Sequence, residues 1–200
     1  MGSSSRASKK PTWRKIVVYL CAILLIGLAD PRWPTFLVGC VLVGAAWAVR
    51  LWAFGHLDKN QLLVTTGPYA HVRNPAYFGT FLAMVGVALA AGNAESQRGQ
   101  AVWGFALMLC LAFFLFYLPR KMKREYGRLE KLFGDELHEH AANVPDFWPR
   151  LRPWRSGQVR SFSWEMVRAN HELSWGLVLT VVMALVYTAP YWSPFSGWGS

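Results

Sequence analysis

Apolar runs alternate with polar segments along the chain, and this pattern predicts the fold class. The runs of mostly hydrophobic residues cover positions 16–29, 36–54, 76–91, 102–118 and 173–190. A helix needs about 20 apolar residues to cross the hydrocarbon core of a bilayer, and each run comes near that length, the first and third being short. We therefore expect an all-α polytopic membrane helix bundle with about five transmembrane helices.

The composition supports a membrane protein. Hydrophobic residues make up 54% and aromatic residues 15% of the 200 positions, which is too apolar for an ordinary soluble domain of this size. The first run follows a basic, serine-rich tail at 1–15, an order that signal peptides share. Between the two, a retained first helix is favoured.

Small residues inside the runs are interpreted as packing positions. Spacings of four residues permit close contact between helices, and they occur at Cys40/Gly44/Ala48, Gly79/Ala83 and Gly86/Ala90. The cysteines at 21, 40 and 110 all lie within predicted spans, so neither a disulfide framework nor a zinc site is expected. His138 and His140 are two apart on a predicted helix and face different ways, so we expect no metal there.

Charge predicts the orientation and the environment. Nearly all Lys and Arg residues precede the first run, separate the second from the third, or follow the fourth, and the net charge is +10. By the positive-inside rule, the N-terminus, the stretch 61–79 and the chain from Arg120 onward face the cytoplasm, so the protein belongs in the inner or cell membrane. Because the basic residues flank hydrophobic spans, membrane lipids rather than nucleic acid are the expected partners.

The stretch 61–79, QLLVTTGPYAHVRNPAYFG, is polar and rich in turn residues. Gly67-Pro68 predicts a chain reversal. Pro75 disfavours helix at Asn74 and suits the first turn of the run that follows, so a helix should begin at Pro75. Unpaired N–H groups at its start, at positions 74, 76 and 77, would bind an anionic group such as a carboxylate. Donors and aromatic faces cluster here at Tyr69, His71, Arg73 and Tyr77.

A charged, amphipathic helix is predicted after the fourth run. Apolar residues recur at steps of three and four over 120–140, at Met122, Tyr126, Leu129, Phe133 and Leu137. Gly134 should bend or end its first part. Lys121 and Glu125 share a face. If the helix continues the fourth span, both reach the membrane surface beside the stretch 61–79. The Pro- and Trp-rich segment 143–155 should pack as a loop over this helix.

These motifs together resemble a known family. The order GPYAHVRNPAYFG at 67–79, an apolar span, E-x-x-x-L-x-x-x-F-G at 125–134 and VPDFWP at 144–149 is similar to the isoprenylcysteine carboxyl methyltransferase and phospholipid methyltransferase superfamily. The resemblance covers roughly 47–149, taken as the catalytic core of a single domain at 1–200, with an interfacial segment and a last transmembrane helix at 150–200. It implies an integral membrane enzyme that uses S-adenosylmethionine and a lipophilic acceptor that enters from the bilayer.

The resemblance also implies site residues. Carried over by position, the adenosine side of the cofactor pocket would be lined by Gln61, Leu62, Leu63 and Val64. The ribose or amino-acid portion would be held by Tyr69 and by the turn Asn74, Pro75, Ala76 and Tyr77. His71 is also expected in the cofactor site. Glu125 falls where the family has a glutamate close to the methyl-transfer centre, and Lys121 would orient the acceptor.

Three positions differ from the family pattern. Asn74 stands where the family has His, Lys121 where the prenylcysteine enzymes have Arg, and Tyr126 where a second acid is common. Lysine holds a carboxylate only as a point charge, whereas arginine holds it bidentately. The acceptor therefore stays open between a carboxylate, an amine (the phospholipid N-methyltransferase alternative) and a thiol.

Two other functions are considered besides a methyltransferase. A nicotinamide-dependent membrane reductase is one, although no G-x-G-x-x-G loop is present. A non-catalytic membrane scaffold is another. Single residues also have purely structural interpretations: Tyr69 and Tyr77 as interfacial anchors, Arg50 extending to lipid phosphates, and His171-Glu172 as helix-end polarity.

Overall fold

The fold is an all-helical bundle, as the apolar runs predict. The computed structural model describes residues 13–58, 61–155 and 160–198; the serine-rich tail at 1–12 lies outside them. The helices are α1 (Trp13–Gly27), α2 (Trp33–His56), α3 (Pro75–Ala91), α4 (Gln97–Ala112), α5 (Leu118–Asn143), α6 (Trp164–Ala169) and α7 (Glu172–Trp192). A short 3₁₀ turn (Gly67–Ala70) precedes α3, and a π-helical segment (Phe113–Tyr117) joins α4 to α5.

Five continuous helical segments are apolar, and they differ in length. Within the described residues, three helices are long and apolar enough to cross a bilayer: Trp33–His56, the continuous Gln97–Asn143 and Glu172–Trp192. Two shorter apolar helices, Ile16–Gly27 and Pro75–Ala91, accompany them. The predicted membrane bundle is confirmed, including the continuation of the fourth span into the charged helix.

Helices α2 and α3 pack closely through small residues. A Cβ atom on Gly39 would lie 2.5 Å from the carbonyl oxygen of Gly86 and 2.6 Å from the Cβ of Ala90. The predicted small-residue stripe of α3 is therefore confirmed as a contact face. The predicted stripe of α2 is wrong, because Gly44 has open space around it, whereas Gly39 is buried. Small apolar residues lie all round α2, so spacing alone does not select its contact face.

The end of the bundle that holds the α1–α2 and α3–α4 connections is closed by buried polar groups. The guanidinium of Arg98 donates to the carbonyl oxygens of Leu28 at 3.0 Å and Phe195 at 2.8 Å. The amide of Asp30 donates to the carbonyl oxygen of Ala91 at 2.8 Å. These bonds join α1, α3, α4 and the C-terminal segment, which leaves the opposite end to carry the polar stretch 61–79.

Helix α5 consists of two arms joined at a sharp bend. Gly134 has φ 45° and ψ −115°, which is not helical, so the bend that the sequence predicts is present. The second arm returns beside the first, and the hydroxyl of Tyr126 lies 3.4 Å from Nδ1 of His138. Both arms consequently face the same space beside α2 and α3.

Candidate functional site

A cavity of about 780 Å³ lies between the ends of α2, α3 and the two arms of α5. Its size is typical of pockets that hold small ligands. Side chains from the stretch 62–77 line one part, and the first arm of α5 contributes residues 121–133. The second arm adds Leu137, His140 and Ala141, while α2 adds Arg50 and Phe54.

The 3₁₀ turn before α3 is packed against the end of α2. Gly67 has φ 58°, and a Cβ there would lie 2.7 Å from Nε2 of His56, so glycine suits both the backbone conformation and the space. The turn buries Tyr69 at the cavity wall. Burial raises the pKa of the Tyr69 phenol, and the negative charges of Glu125 and Glu172 raise it further. Tyr69 therefore stays protonated at neutral pH.

Helix α3 begins at Pro75, as predicted, but its first amide groups differ from the expectation. The amides of Tyr77 and Phe78 donate to the carbonyl oxygen of Asn74 at 3.1 and 3.2 Å. The side-chain amide of Asn74 donates to the carbonyl oxygen of Asp146 at 3.1 Å. The expectation of a free Tyr77 amide for an anion is therefore wrong, because the tight first turn uses that donor internally.

Arg73 offers a donor group at the cavity instead. Its Nη2 pairs with Oδ1 of Asp146 at 2.5 Å. Its Nε is buried and has no hydrogen-bond partner among the residues that the structure describes. A buried unsatisfied N–H costs free energy unless a ligand or water accepts from it. Arg73 therefore places a buried, unsatisfied donor in the wall of the cavity.

The first arm of α5 carries Lys121 and Glu125 into the cavity wall. Glu125 accepts from Nη2 of Arg128 at 2.6 Å, one turn later on the same helix, and remains 30% exposed. Lys121 is exposed, and within the described part of the chain no acidic side chain lies within ion-pair distance of it. The predicted shared face of Lys121 and Glu125 is confirmed by their common place in the lining.

The second arm of α5 is fastened to the 3₁₀ turn by a histidine that the sequence did not single out for this role. Nε2 of His140 lies 2.8 Å from the carbonyl oxygen of Tyr69, so this nitrogen carries the proton and donates it. The ring stacks on Trp154 at 5.7 Å between ring centroids. Burial lowers the pKa of His140 although the Tyr69 bond opposes this, and the charge of Arg73 lowers it further.

Arg50 does not extend toward lipid phosphates, so that interpretation is wrong. Its guanidinium binds the Glu172 carboxylate through both nitrogens Nε and Nη2, at 3.0 and 2.7 Å. The two side chains are only 12% and 5% exposed. The interpretation of Glu172 as mere helix-end polarity is wrong as well. A charge pair 122 positions apart in sequence has no local signal, which is why the sequence did not reveal it.

Most of the residues singled out from the sequence line this one cavity. The lining contains Leu62, Leu63, Val64, Tyr69, Asn74, Pro75, Ala76, Tyr77, Lys121 and Glu125. Gln61 and His71 are not part of it. Gln61 is exposed, whereas Nδ1 of His71 lies 2.8 Å from the carbonyl oxygen of Arg150. His71 therefore contacts the loop after α5.

That loop, 144–155, packs on the turn before α3 through backbone bonds. The amides of Arg73, Arg150 and Trp154 pair with the carbonyl oxygens of Pro145, His71 and Ala70, each at 2.9 Å. The expected loop is therefore present, but its backbone bonds join it to the 70–73 segment, and it meets α5 where Trp154 stacks on His140. No group of three or more His, Cys, Asp or Glu side chains that could hold a metal ion occurs among residues 13–58, 61–155 and 160–198.

Comparison with known proteins identifies related sequences. The sequence model of the phospholipid methyltransferase family matches residues 34–136. The cobalt-zinc-cadmium resistance protein CzcN of Cupriavidus metallidurans is 33% identical over 179 residues, covering 86% of this chain and 78% of that protein. The nickel-cobalt-cadmium resistance protein NccN of Alcaligenes xylosoxydans xylosoxydans is 32% identical over 196 residues, covering 91% and 85%.

A eukaryotic enzyme is also similar. The protein-S-isoprenylcysteine O-methyltransferase of Schizosaccharomyces pombe is 31% identical over 104 residues, which is 50% of this chain and 40% of that enzyme. No solved structure matches the chain.

Proposed function

Because the chain belongs to the phospholipid methyltransferase family, we propose that it transfers a methyl group from S-adenosylmethionine to a lipophilic acceptor, in the manner of an isoprenylcysteine carboxyl methyltransferase. The observation that carries the proposal is the shared cavity. The turn at 74–77, which enters α3, and Glu125, which follows the fourth span, both line it although they are about 50 positions apart in sequence. This is the arrangement that a cofactor pocket between the two segments requires.

The lining suits the methyl donor. Leu62, Leu63 and Val64 offer an apolar wall for an adenine ring, and the phenols of Tyr69 and Tyr77 add aromatic surface with polar ends. The buried, unpartnered Nε of Arg73 would donate to a carboxylate or hydroxyl of the ligand. The cavity volume of about 780 Å³ leaves room for part of an acceptor as well.

Catalysis in this site would rest on positioning. S-adenosylmethionine, when bound, supplies a methyl group that is already activated toward nucleophiles. The wall residues would hold the donor, align the acceptor and exclude water, which are the main contributions left for the protein. Tyr77 and the 74–77 turn would hold the donor, and Lys121 and Glu125 would orient the reacting groups.

The charge balance of the wall favours an anionic acceptor group. Each acid of the wall has an arginine partner: Asp58 with Arg160, Glu125 with Arg128, Asp146 with Arg73. Lys121 and Lys123 also line the cavity, and they have no acidic partner within the described ranges. Two uncompensated positive charges attract an anion. A carboxylate oriented by Lys121 is therefore the leading acceptor.

An amine acceptor, as in phospholipid N-methyltransferases, is the alternative. The carboxylate of Glu125 is partly exposed in the wall, and it would stabilise a developing ammonium ion or accept its proton. Its bond to Arg128 weakens this role, because the guanidinium already neutralises the charge.

The acceptor is proposed to enter from the bilayer with the site facing the cytoplasm. The cavity lies at the same end of the bundle as the basic α5, whose exposed cations include Arg120, Lys121 and Arg124. Cytoplasmic membrane segments carry an excess of such residues. Anionic lipid headgroups would attract this face and place a lipid-borne acceptor beside the cavity.

Thermal unfolding of the detergent-solubilised protein tests the proposal. S-adenosylmethionine and its demethylated product should raise the midpoint, whereas NADPH should not; at 100 times Kd the stabilisation is about 2.7 kcal/mol. Tyr77→Ala should abolish the shift, and Tyr187→Ala, which removes a phenol on α7 outside this cavity, should keep it. A shift with NADPH alone would favour the reductase, and no shift with any ligand would favour the scaffold.

A methyl-transfer assay identifies the acceptor. Protein incubated with methyl-labelled donor and a membrane lipid extract should yield one labelled species. A base-labile label indicates a methyl ester, and a base-stable label on a headgroup nitrogen indicates the amine alternative.

A further inference from the structure

The last helix, α7, contributes no residue to the cavity lining, but it contacts one of the lining residues. The family match ends at residue 136, so α7 lies outside it. Glu172, at the first position of α7, is buried against Arg50 of α2, which lies inside the matched region and lines the cavity. A buried carboxylate is costly to desolvate, and an arginine partner offsets that cost only where the geometry of the pair is good.

Arg50 in turn fixes the first turn of α3. Its Nη1 donates to the carbonyl oxygen of Ala76 at 3.2 Å and to Oγ1 of Thr80 at 2.8 Å. The guanidinium also lies over the ring of Trp175, 4.0 Å from its centroid. One guanidinium therefore joins Glu172 of α7 to the segment 74–77, with most of its N–H groups satisfied.

The same C-terminal unit holds the end of α2 at two further points. The side-chain amide of Asn170 donates to the carbonyl oxygens of Phe54 and Leu57, each at 3.3 Å. Arg160 pairs with Asp58 at 3.2 Å. Phe54, Leu57 and Asp58 all line the cavity. Helix α2 ends beside the pocket, so these contacts set where its last turn lies.

We propose that Glu172 is a positioning residue for the methyl-donor pocket: it holds Arg50, and Arg50 holds the Ala76 carbonyl and thereby the turn at 74–77. The inference rests on the proposed function, because it assigns the role of a residue in the same pocket. Glu172 itself is not in the lining, so it acts through Arg50 and does not touch the ligand.

The proposal predicts that substitutions of Glu172 and Arg50 weaken the binding of S-adenosylmethionine. Misplacement of reacting groups by about 1 Å through a remote substitution can lower a rate roughly 100-fold, and a displaced binding turn loses affinity for the same geometric reason. Glu172→Gln keeps the shape of the side chain but removes the charge that orients the guanidinium. It should weaken S-adenosylmethionine binding by about tenfold or more. Arg50→Lys should weaken it similarly, because lysine cannot serve Glu172, Thr80 and Ala76 together.

Dissociation constants for S-adenosylmethionine are measured by titration calorimetry, at a temperature where circular dichroism shows each full-length variant folded. A purely stabilising role for Glu172 would lower the unfolding midpoint and leave the dissociation constant of the folded protein unchanged. The matched control is Glu165→Gln, which removes the same charge from an exposed position on α6. It should bind as the wild type does.

A double variant of Arg50 and Glu172 gives a second test, because it measures whether the two losses of affinity add. Since Glu172 acts through Arg50, the losses in Arg50→Gln and Glu172→Gln should not add, and the double variant should bind no more weakly than Arg50→Gln alone. Additive losses would mean that Glu172 acts independently of Arg50 and would overturn the proposal.

The outcomes separate the two proposals. If the wild type does not bind S-adenosylmethionine, the proposed function is overturned and this inference with it. If the wild type binds and folded Glu172→Gln binds equally well, only this inference is overturned. Where Glu172→Gln does not fold, Glu172→Asp keeps the charge but shortens the reach of the carboxylate to Arg50. A weaker affinity then supports the proposal, and an unchanged affinity overturns it.

Discussion

Nε2 of His140 and the carbonyl oxygen of Tyr69 lie 2.8 Å apart, although the two residues are 71 positions apart in sequence. The bond closes the second arm of α5 onto the turn that enters α3. It requires a proton on Nε2, which both the imidazolium and one neutral tautomer carry. Since burial of the ring nevertheless lowers the pKa of His140 in the folded protein, the stability of the folded state should depend on pH.

Acidification should destabilise the protein through His140. A folded pKa below the ordinary value near 6.5 means that the unfolded chain binds the proton more tightly. The stability that neutral His140 contributes is fully present above the pKa that the residue has in the unfolded chain. It is lost as the pH falls from that value toward the lower pKa of the folded protein. In His140→Gln, whose amide can donate to the same carbonyl without titrating, the unfolding midpoint should fall less between pH 7 and 5.

The matched control is His138→Gln, which removes an exposed histidine of the same arm. It should keep the wild-type dependence of the midpoint on pH. Equal pH dependence in His140→Gln and the wild type would show that His140 is not the responsible group.

Glu125→Gln should lower the methyl-transfer rate by on the order of 100-fold, because a group that aligns the reactants is lost from the cavity wall. The labelled-donor assay with lipid extract measures the rate. Glu130→Gln removes an exposed carboxylate of the same helix that is not in the lining, and it should retain the wild-type rate. Equal activity of both variants would place the reaction away from Glu125.

Glycine substitutions in α5 should have opposite effects at two positions. Gly134 has φ 45°, so Gly134→Ala should destabilise the protein by at least about 1–2 kcal/mol. Gly127 lies within the helical first arm with open space around it, so Gly127→Ala should stabilise the protein by up to about 1 kcal/mol. Chemical unfolding in detergent measures both, and a stabilising Gly134→Ala would contradict the sharp bend.

The contact between α2 and α3 predicts a sensitive site in the bundle. Gly39→Val should destabilise the protein by about 1–3 kcal/mol or more, since the added atoms meet the backbone of Gly86. Gly44→Val adds the same atoms where there is open space, and it should have little effect. Unfolding midpoints in detergent compare the two, and the reverse order would mean that α2 presents its other face to α3.

Orientation in the membrane is tested by labelling single cysteines. Cys21, Cys40 and Cys110 are first replaced by alanine. In intact cells, an impermeant maleimide should then label Gln100→Cys, in the first turn of α4 at the end opposite the site, and leave Lys131→Cys on α5 unlabelled until the cells are permeabilised. Both positions are exposed. The opposite result would place the cavity outside the cell and exclude the cytoplasmic proposal.

Several features followed from the sequence because their causes are local. The bilayer requires long apolar helices, so the runs predicted the bundle. Proline at 75 fixed the start of α3, and Gly134 marked the bend of α5. The shared face of Lys121 and Glu125 followed from helical periodicity. The family motifs combine these local signals in order. Of the ten donor-binding positions proposed from them, eight line the cavity, and Gln61 and His71 do not.

Contacts between distant segments were decided only by the tertiary structure. Which face of α2 meets α3, which acid neutralises Arg50, and which carbonyl His140 reaches all depend on how each helix is rotated and where it ends. In an apolar helix many rotations satisfy the bilayer equally well, so hydrophobicity does not distinguish them. The sequence by itself determined the helices, their turns and the family; packing determined that Glu172 holds Arg50 and that both arms of α5 meet at one cavity.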